Sequence, residues 1–151
     1  MHTLFLMMAL AGSHEPLGMP AEEVEKIALS YGTCAGVWDA MSELETARGN
    51  PHSAEQFHNV GNGAETTALW LLSVQHNEST TGTKRAMSHY RPLVAPRRES
   101  GRTYLLSIVE RQDAEALQKE VGYCTELLSF QDETINSIRK QSLEPAESNT
   151  Q

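Results

Sequence analysis

Two residues in this chain have both the type and the setting for covalent chemistry: Cys34 and Cys124, its only cysteines. Each stands in an apolar stripe with helical spacing. The first stripe is Val24, Ile27, Tyr31, Cys34, Trp38 and Met41. The second is Leu117, Val121, Cys124 and Leu128, continuing to Ile135 and Ile138 beyond a polar gap at Gln131. Steps of three and four put each set on one helix face. Two helices packed on these faces would bring the thiols together as a disulfide closing most of the chain into one loop. The alternative is a pair of reduced cysteines serving as small core hydrophobes. A redox-active thiol is not expected, because there is no C-x-x-C and no histidine at helical spacing from either cysteine to act as base.

Other chemistry finds little to stand on. The histidines are His2, His14, His52, His58, His76 and His89, with no H-E-x-x-H and no Cys/His cluster of zinc spacing. Glu55 and His58 have the spacing of a di-iron ligand pair, but the pair stands alone and reads as solvated surface. Gly61-Asn62-Gly63 is no phosphate cradle, since no strand precedes it, and Ser79 to Lys84 lacks the first glycine of a P-loop. Adjacent carboxylates such as Glu22-Glu23 and Asp132-Glu133 point apart on a helix. No catalytic residue, cofactor or metal is assigned.

A binding role has better support. The net charge is -8, yet between residues 82 and 103 Lys84, Arg85, Arg91, Arg97, Arg98 and Arg102 face only Glu99. Residues 1 to 81 hold ten carboxylates against two cations. An acidic chain with one basic segment is not a general nucleic-acid binder, because phosphate affinity needs accumulated positive charge. With Tyr90 and Tyr104 the arginines offer a surface for a partner's carboxylates or for an anion. The competing reading is that they form salt bridges to the acidic helices around them. Trp38, Met41 and Trp70 are candidates to line a ligand between helices. Asn77-Glu78-Ser79 matches a glycosylation sequon.

These residues require helices to position them. Pro20 suits a helix start, with Glu22, Glu23 and Glu25 near the positive end. That helix runs from Ala21 to Ala47 and stops at Arg48-Gly49-Asn50-Pro51. Gly32 and Gly36 within it imply close approach by another helix. Ser53 is expected to cap a second helix, which Gly61-Asn62-Gly63 splits or kinks. A polar loop covers residues 77 to 82. A short helix spans Thr83 to Val94, limited by Pro92, and Ala95 to Gly101 is a second loop. A further helix starts near Arg102. It either breaks at Asp113, a good cap for a helix from Ala114, or runs on to Lys140. Length and composition fit one domain. The fold class is therefore all-α, an antiparallel bundle of four to five helices over residues 21 to 141.

The ends are read separately. Leu4 to Ala11 is apolar and closes on Ala9-Leu10-Ala11, an A-x-A-like cleavage pattern, but it lacks a basic region ahead of it. Residues 1 to 20 are thus either a signal remnant with a loop or part of the fold. Residues 142 to 151 have no apolar face and are expected to be disordered. No run approaches the ~20 residues of a membrane-spanning helix.

The cysteine-bearing first helix (YGTCAGVWDAMSELE) and last helix (VGYCTELL), with small residues at Gly32, Ala35 and Gly36, resemble small all-helical secreted proteins of bacteria. The resemblance covers residues 21 to 130. It implies a pairing between the two helices and a periplasmic or secreted location, with the cytoplasm as the alternative. The expected function is non-enzymatic: binding another protein, or a second copy as a homodimer. The alternative is a helical bundle holding an apolar or anionic small molecule.

Overall fold

A computed structural model describes residues 18–143 of the chain. The expected signal remnant and most of the expected tail lie outside those residues. The expected tail start is corrected in part, because Ser142 and Leu143 belong to the last helix.

Among the described residues, five α-helices form an all-α bundle: α1 (Ala21–Ala47), α2 (Pro51–Ser79), α3 (Arg91–Glu110), α4 (Ala114–Glu126) and α5 (Leu128–Leu143), with a 3-10 turn (Met87–Tyr90) ahead of α3. Helix α1 begins where the proline and acidic residues direct it, with Pro20 at the N-cap. It ends on Gly49, whose φ of +79° lets the amides of Gly49 and Asn50 turn back to the carbonyls of Thr46 and Glu45. Glu45 fastens this turn by accepting from Arg48 and Asn50, which holds its carboxyl below the ordinary range. The chain reverses here, and Ser42 donates to the carbonyl of Ala54 at 2.7 Å.

Helix α1 is the axis of the bundle. Through its middle, from Tyr31 to Ala40, only Thr33 and Asp39 are not fully buried. Helix α2 lies antiparallel on one side, where Trp38 stacks on Phe57 at 5.9 Å. Helix α3 lies on the other side, running the same way as α1. Helix α4 returns, placing Cys124 at Cys34. Burying about ten residues of α1 between partners makes the helix apolar nearly all round its centre, as a core helix must be.

Three expectations are corrected. Helix α2 is not split at Gly61-Asn62-Gly63; it continues for 29 residues. Both glycines are contact points instead. A Cβ on Gly61 would stand 3.0 Å from the Ala35 carbonyl of α1, and one on Gly63 would stand 2.6 Å from Gln131 Nε2 of α5. The cap of α2 is not Ser53 but Asn50, with Pro51 in the first turn. The third correction concerns the basic segment. Residues 95–101 are not a loop but the middle of α3, which passes through Pro96. Gly101 packs against the Thr33 carbonyl and Gly36 against that of Arg98, so closely that a Cβ at either would collide with main chain. That packing offsets the hydrogen bond lost at Pro96.

Between α3 and α4 the chain turns at Gln112, with φ of +56°. Asp113 then caps α4 by accepting from the amide of Ala116 at 3.0 Å. The helix does not run straight to Lys140. It breaks at Leu127, whose carbonyl accepts from Tyr31 Oη at 2.8 Å.

Candidate functional site

Cys34 and Cys124 form a disulfide, with Cα atoms 5.4 Å apart and both residues about 1% exposed. The paired stripes of α1 and α4 place it inside the core. Tyr31, one turn before Cys34, is also buried, and burial together with the neighbouring Tyr123 pushes its phenol up to about 12.

The six cations of the basic segment divide into two groups. Arg98 and Arg102, one turn apart on α3, face Asp39 and Glu43, one turn apart on α1. Arg98 Nε and Nη2 bond both oxygens of Asp39 at 2.6 and 2.7 Å, while Nη1 reaches Glu65 of α2 and Nη2 also reaches Asn62. The hydrogen bond to Asp39 raises the guanidinium's already high pKa against the opposing effect of burial. Arg102 pairs with Glu43 and with Glu99 on its own helix. These contacts bind α1, α2 and α3 together through one guanidinium.

Lys84, Arg85, Arg91 and Arg97 have a different fate. All four are exposed, and among the described residues no carboxylate lies within 4.0 Å of them. They lie on the segment 80–86 and the first two turns of α3, where Leu93 is 43% exposed. Asn77 fixes this segment by donating to the Arg85 carbonyl at 2.9 Å and accepting from the Arg85 amide at 2.7 Å. Ser73 adds a third bond to the segment, its hydroxyl donating to the same carbonyl at 3.0 Å. The side-chain amide of the sequon asparagine is thus engaged in structure.

Two clefts matter to the sorting. One is lined by Asp39, Ser42, Glu43, His58, Arg98 and Arg102. Asp39 and Glu43 already pair with Arg98 and Arg102 and Ser42 is spent on Ala54, while His58 Nδ1 stands 3.7 Å from Asp39, beyond hydrogen-bond reach. The other, of about 370 Å³, lies between the start of α1, the end of α2 and the start of α3. Val24, Leu72, Tyr90 and Leu93 give it an apolar wall, and Glu22, His76 and Arg85 line it as well.

Trp38, Met41 and Trp70 line neither of these clefts. All three belong to the packed core, Trp38 fully and the other two in part. The indole N–H of Trp38 is buried without a hydrogen-bond partner. Among the described residues no group of three or more His, Cys, Asp or Glu is placed to hold a metal ion, and no helix is long and apolar enough to cross a membrane.

The acidic half of the Arg98 cluster was not singled out from the sequence. Its signal is there: carboxylates at 39 and 43 and arginines at 98 and 102 share a four-residue step. The signal becomes readable only when residues 95–101 are taken as helix. No protein-family model, curated protein or solved structure matches the chain.

Proposed function

We propose that this is a non-enzymatic helical bundle of an extracytoplasmic compartment, periplasmic or secreted, that acts by binding another protein. The observation that carries the reading is the set of exposed cations that have no carboxylate partner among the described residues. In a chain of net charge -8, Lys84, Arg85, Arg91 and Arg97 remain turned to solvent beside an exposed leucine. Arginine forks recognise carboxylates in pairs, and exposed apolar side chains add contact area. The partner chemistry that fits is an acidic protein surface, on a different protein or on a second copy. The disulfide supports the compartment, since such bonds persist where the surroundings are oxidising.

The test is chemical crosslinking in the native host, comparing wild type with the variant K84E/R85E/R91E/R97E. The reading expects one discrete adduct that the charge reversals abolish while circular dichroism and the disulfide stay unchanged. An adduct indifferent to the four reversals, or no adduct at any crosslinker length, overturns it. Light scattering on the purified chain separates a second copy from a different protein.

A second reading rests on the apolar cleft of Val24, Leu72, Tyr90 and Leu93 with Arg85 beside it. It would hold an apolar or anionic small molecule. Native mass spectrometry of protein taken from its host would show a bound mass that Leu72→Trp removes.

A further inference from the structure

The helices divide unequally in how they are held. Helices α1, α2 and α3 share the buried core, from Val24 through Leu71 to Ile108. Helix α4 contributes a single fully buried residue, and that residue is Cys124. Helix α5 contributes two, Gln131 and Thr134, and both are polar. The apolar residues of this arm that pack against the core, Leu117, Val121, Leu127 and Leu128, are only half-buried there. Among the described residues, two side-chain hydrogen bonds besides the disulfide tie it down: Tyr31 Oη to the Leu127 carbonyl at 2.8 Å, and Gln131 Nε2 to the Val60 carbonyl at 3.0 Å. The joint to α3 is short, three residues with Gln112 at φ of +56°.

We infer that the Cys34–Cys124 disulfide is the latch of a separable arm, residues 114–143, and that breaking it releases α4 and α5 while α1, α2 and α3 stay folded. Segments that bury little apolar surface open first, and a crosslink to the core suppresses that opening. The release exposes the face of α1 around Tyr31 and Cys34, and on α2 the carbonyl of Val60. An external dithiol is the reagent that would work it. Its thiolate attacks one sulfur to give a mixed disulfide, and its second thiol closes on the first. One S–S bond breaks in the protein and one forms in the reductant. Two electrons and two protons pass to Cys34 and Cys124. Because both sulfurs sit in residues about 1% exposed, attack waits on a small local loosening around the bond, ahead of the arm's release.

The experiment is amide hydrogen exchange by mass spectrometry on three samples: the oxidised chain, the chain reduced with dithiothreitol, and C34S/C124S. In the latter two the inference expects peptides from 114–143 to exchange at least 100-fold faster. Peptides from 51–79 and 91–110 should keep their protection. A loss spread evenly over all helices shows one cooperative unit and overturns the inference, as does unchanged protection in the arm. A fourth sample, oxidised Q131A, separates the latch from the minor ties: arm protection should fall less than 10-fold, and a fall equal to that of C34S/C124S also overturns it.

Discussion

The contact between α1 and α3 and the contact between α1 and α4 are built on opposite plans. The first is made by absence of side chain: Gly36 and Gly101 let two backbones meet, and Arg98 and Arg102 then clamp the flank to Asp39, Glu43 and Glu65. Many contacts each contribute a little, and no one of them is covalent. The second hangs on one covalent bond, with half-buried leucine and valine and the Tyr31–Leu127 hydrogen bond around it. Close packing distributes stability over a surface, whereas a crosslink concentrates it at a point. The plans therefore differ in what breaks them.

The largest effect should come from the point. A crosslink between residues 90 apart contributes about 4–5 kcal/mol on the chain-entropy account. C34S/C124S is expected to lose that much, and to lose it unevenly. Both tryptophans lie in α1 and α2, so tryptophan fluorescence reports the core, while far-UV circular dichroism reports every helix. In the wild type the two urea transitions should coincide. In C34S/C124S the dichroism should begin to fall at lower urea than the fluorescence. Coincident curves in both proteins would mean that the arm and core are one unit.

Next comes the glycine contact. Gly36→Ala puts a methyl onto the Arg98 carbonyl, and main chain cannot step aside as a flexible side chain can. We expect a loss of about 3 kcal/mol in urea denaturation, at the upper end for overpacking. Gly49→Ala is the control, since nothing lies within 4 Å of its added Cβ. Its cost is conformational only, about 1 kcal/mol for an L-residue at φ of +79°. Equal losses at the two positions would remove close approach as the reason for glycine at 36.

The clamp ranks third. Arg98→Met keeps the aliphatic stem but leaves Asp39 and Glu65 partly buried without their cation. Fully buried pairs broken on one side lose 3–5 kcal/mol; here the side chains keep 18–21% of their exposure, so about 2 kcal/mol is expected. Restoring the charge with Arg98→Lys should recover less than half, because lysine cannot form the two-pronged bond to Asp39.

What the sequence disclosed follows the same division. The bounds of α1 were readable because local signals agreed with the fold at both ends: Pro20 with Glu22 and Glu23 at the start, Gly49 and Pro51 at the stop. The disulfide was readable from two stripes, and the α4 cap from Asp113. The errors fell where glycine and proline do tertiary rather than local duty. Gly61 and Gly63 look like a break but serve as landing sites for Ala35 and Gln131. Pro96 and Gly101 look like a loop but lie in a helix held by Thr33 and Asp39. Misreading that helix hid the matched step between residues 39 and 43 and residues 98 and 102. The half of the basic segment that bonds inward could then not be told from the half that stays outside.

The fourth prediction uses pH to probe the α1–α4 contact. Tyr31 is held protonated up to about 12 by its burial, against about 10 in an unfolded chain. The folded state binds this proton more tightly, so its contribution is whole below pH 10 and is lost as pH rises toward 12. Tyr31→Phe removes the bond to Leu127 and should destabilise by about 1 kcal/mol at pH 7. The wild type's alkaline decline over that window should shrink in the variant. A decline of equal depth in Y31F would assign the alkaline sensitivity to other groups.

The smallest effect sharpens the comparison at the two helix ends that lead into each plan. Helix α1 ends with the amide of Gly49 on the Thr46 carbonyl and that of Asn50 on Glu45. Helix α3 ends the same way, Gln112 on Val109 and Asp113 on Ile108. Both closures need one residue with positive φ, and the chain supplies glycine at the first and glutamine at the second. A glutamine there carries the left-handed penalty of roughly 1 kcal/mol that glycine avoids. Gln112→Gly should relieve it, with a net gain below about 1 kcal/mol because glycine also frees the unfolded chain. If the arm opens ahead of the core, the gain should appear in its hydrogen exchange only to the extent that the turn itself unwinds. An arm that swings on an intact turn leaves exchange at α4 and α5 unchanged in Q112G, while a turn that melts with the arm slows it. The glutamine thus distinguishes a hinge from a fraying end.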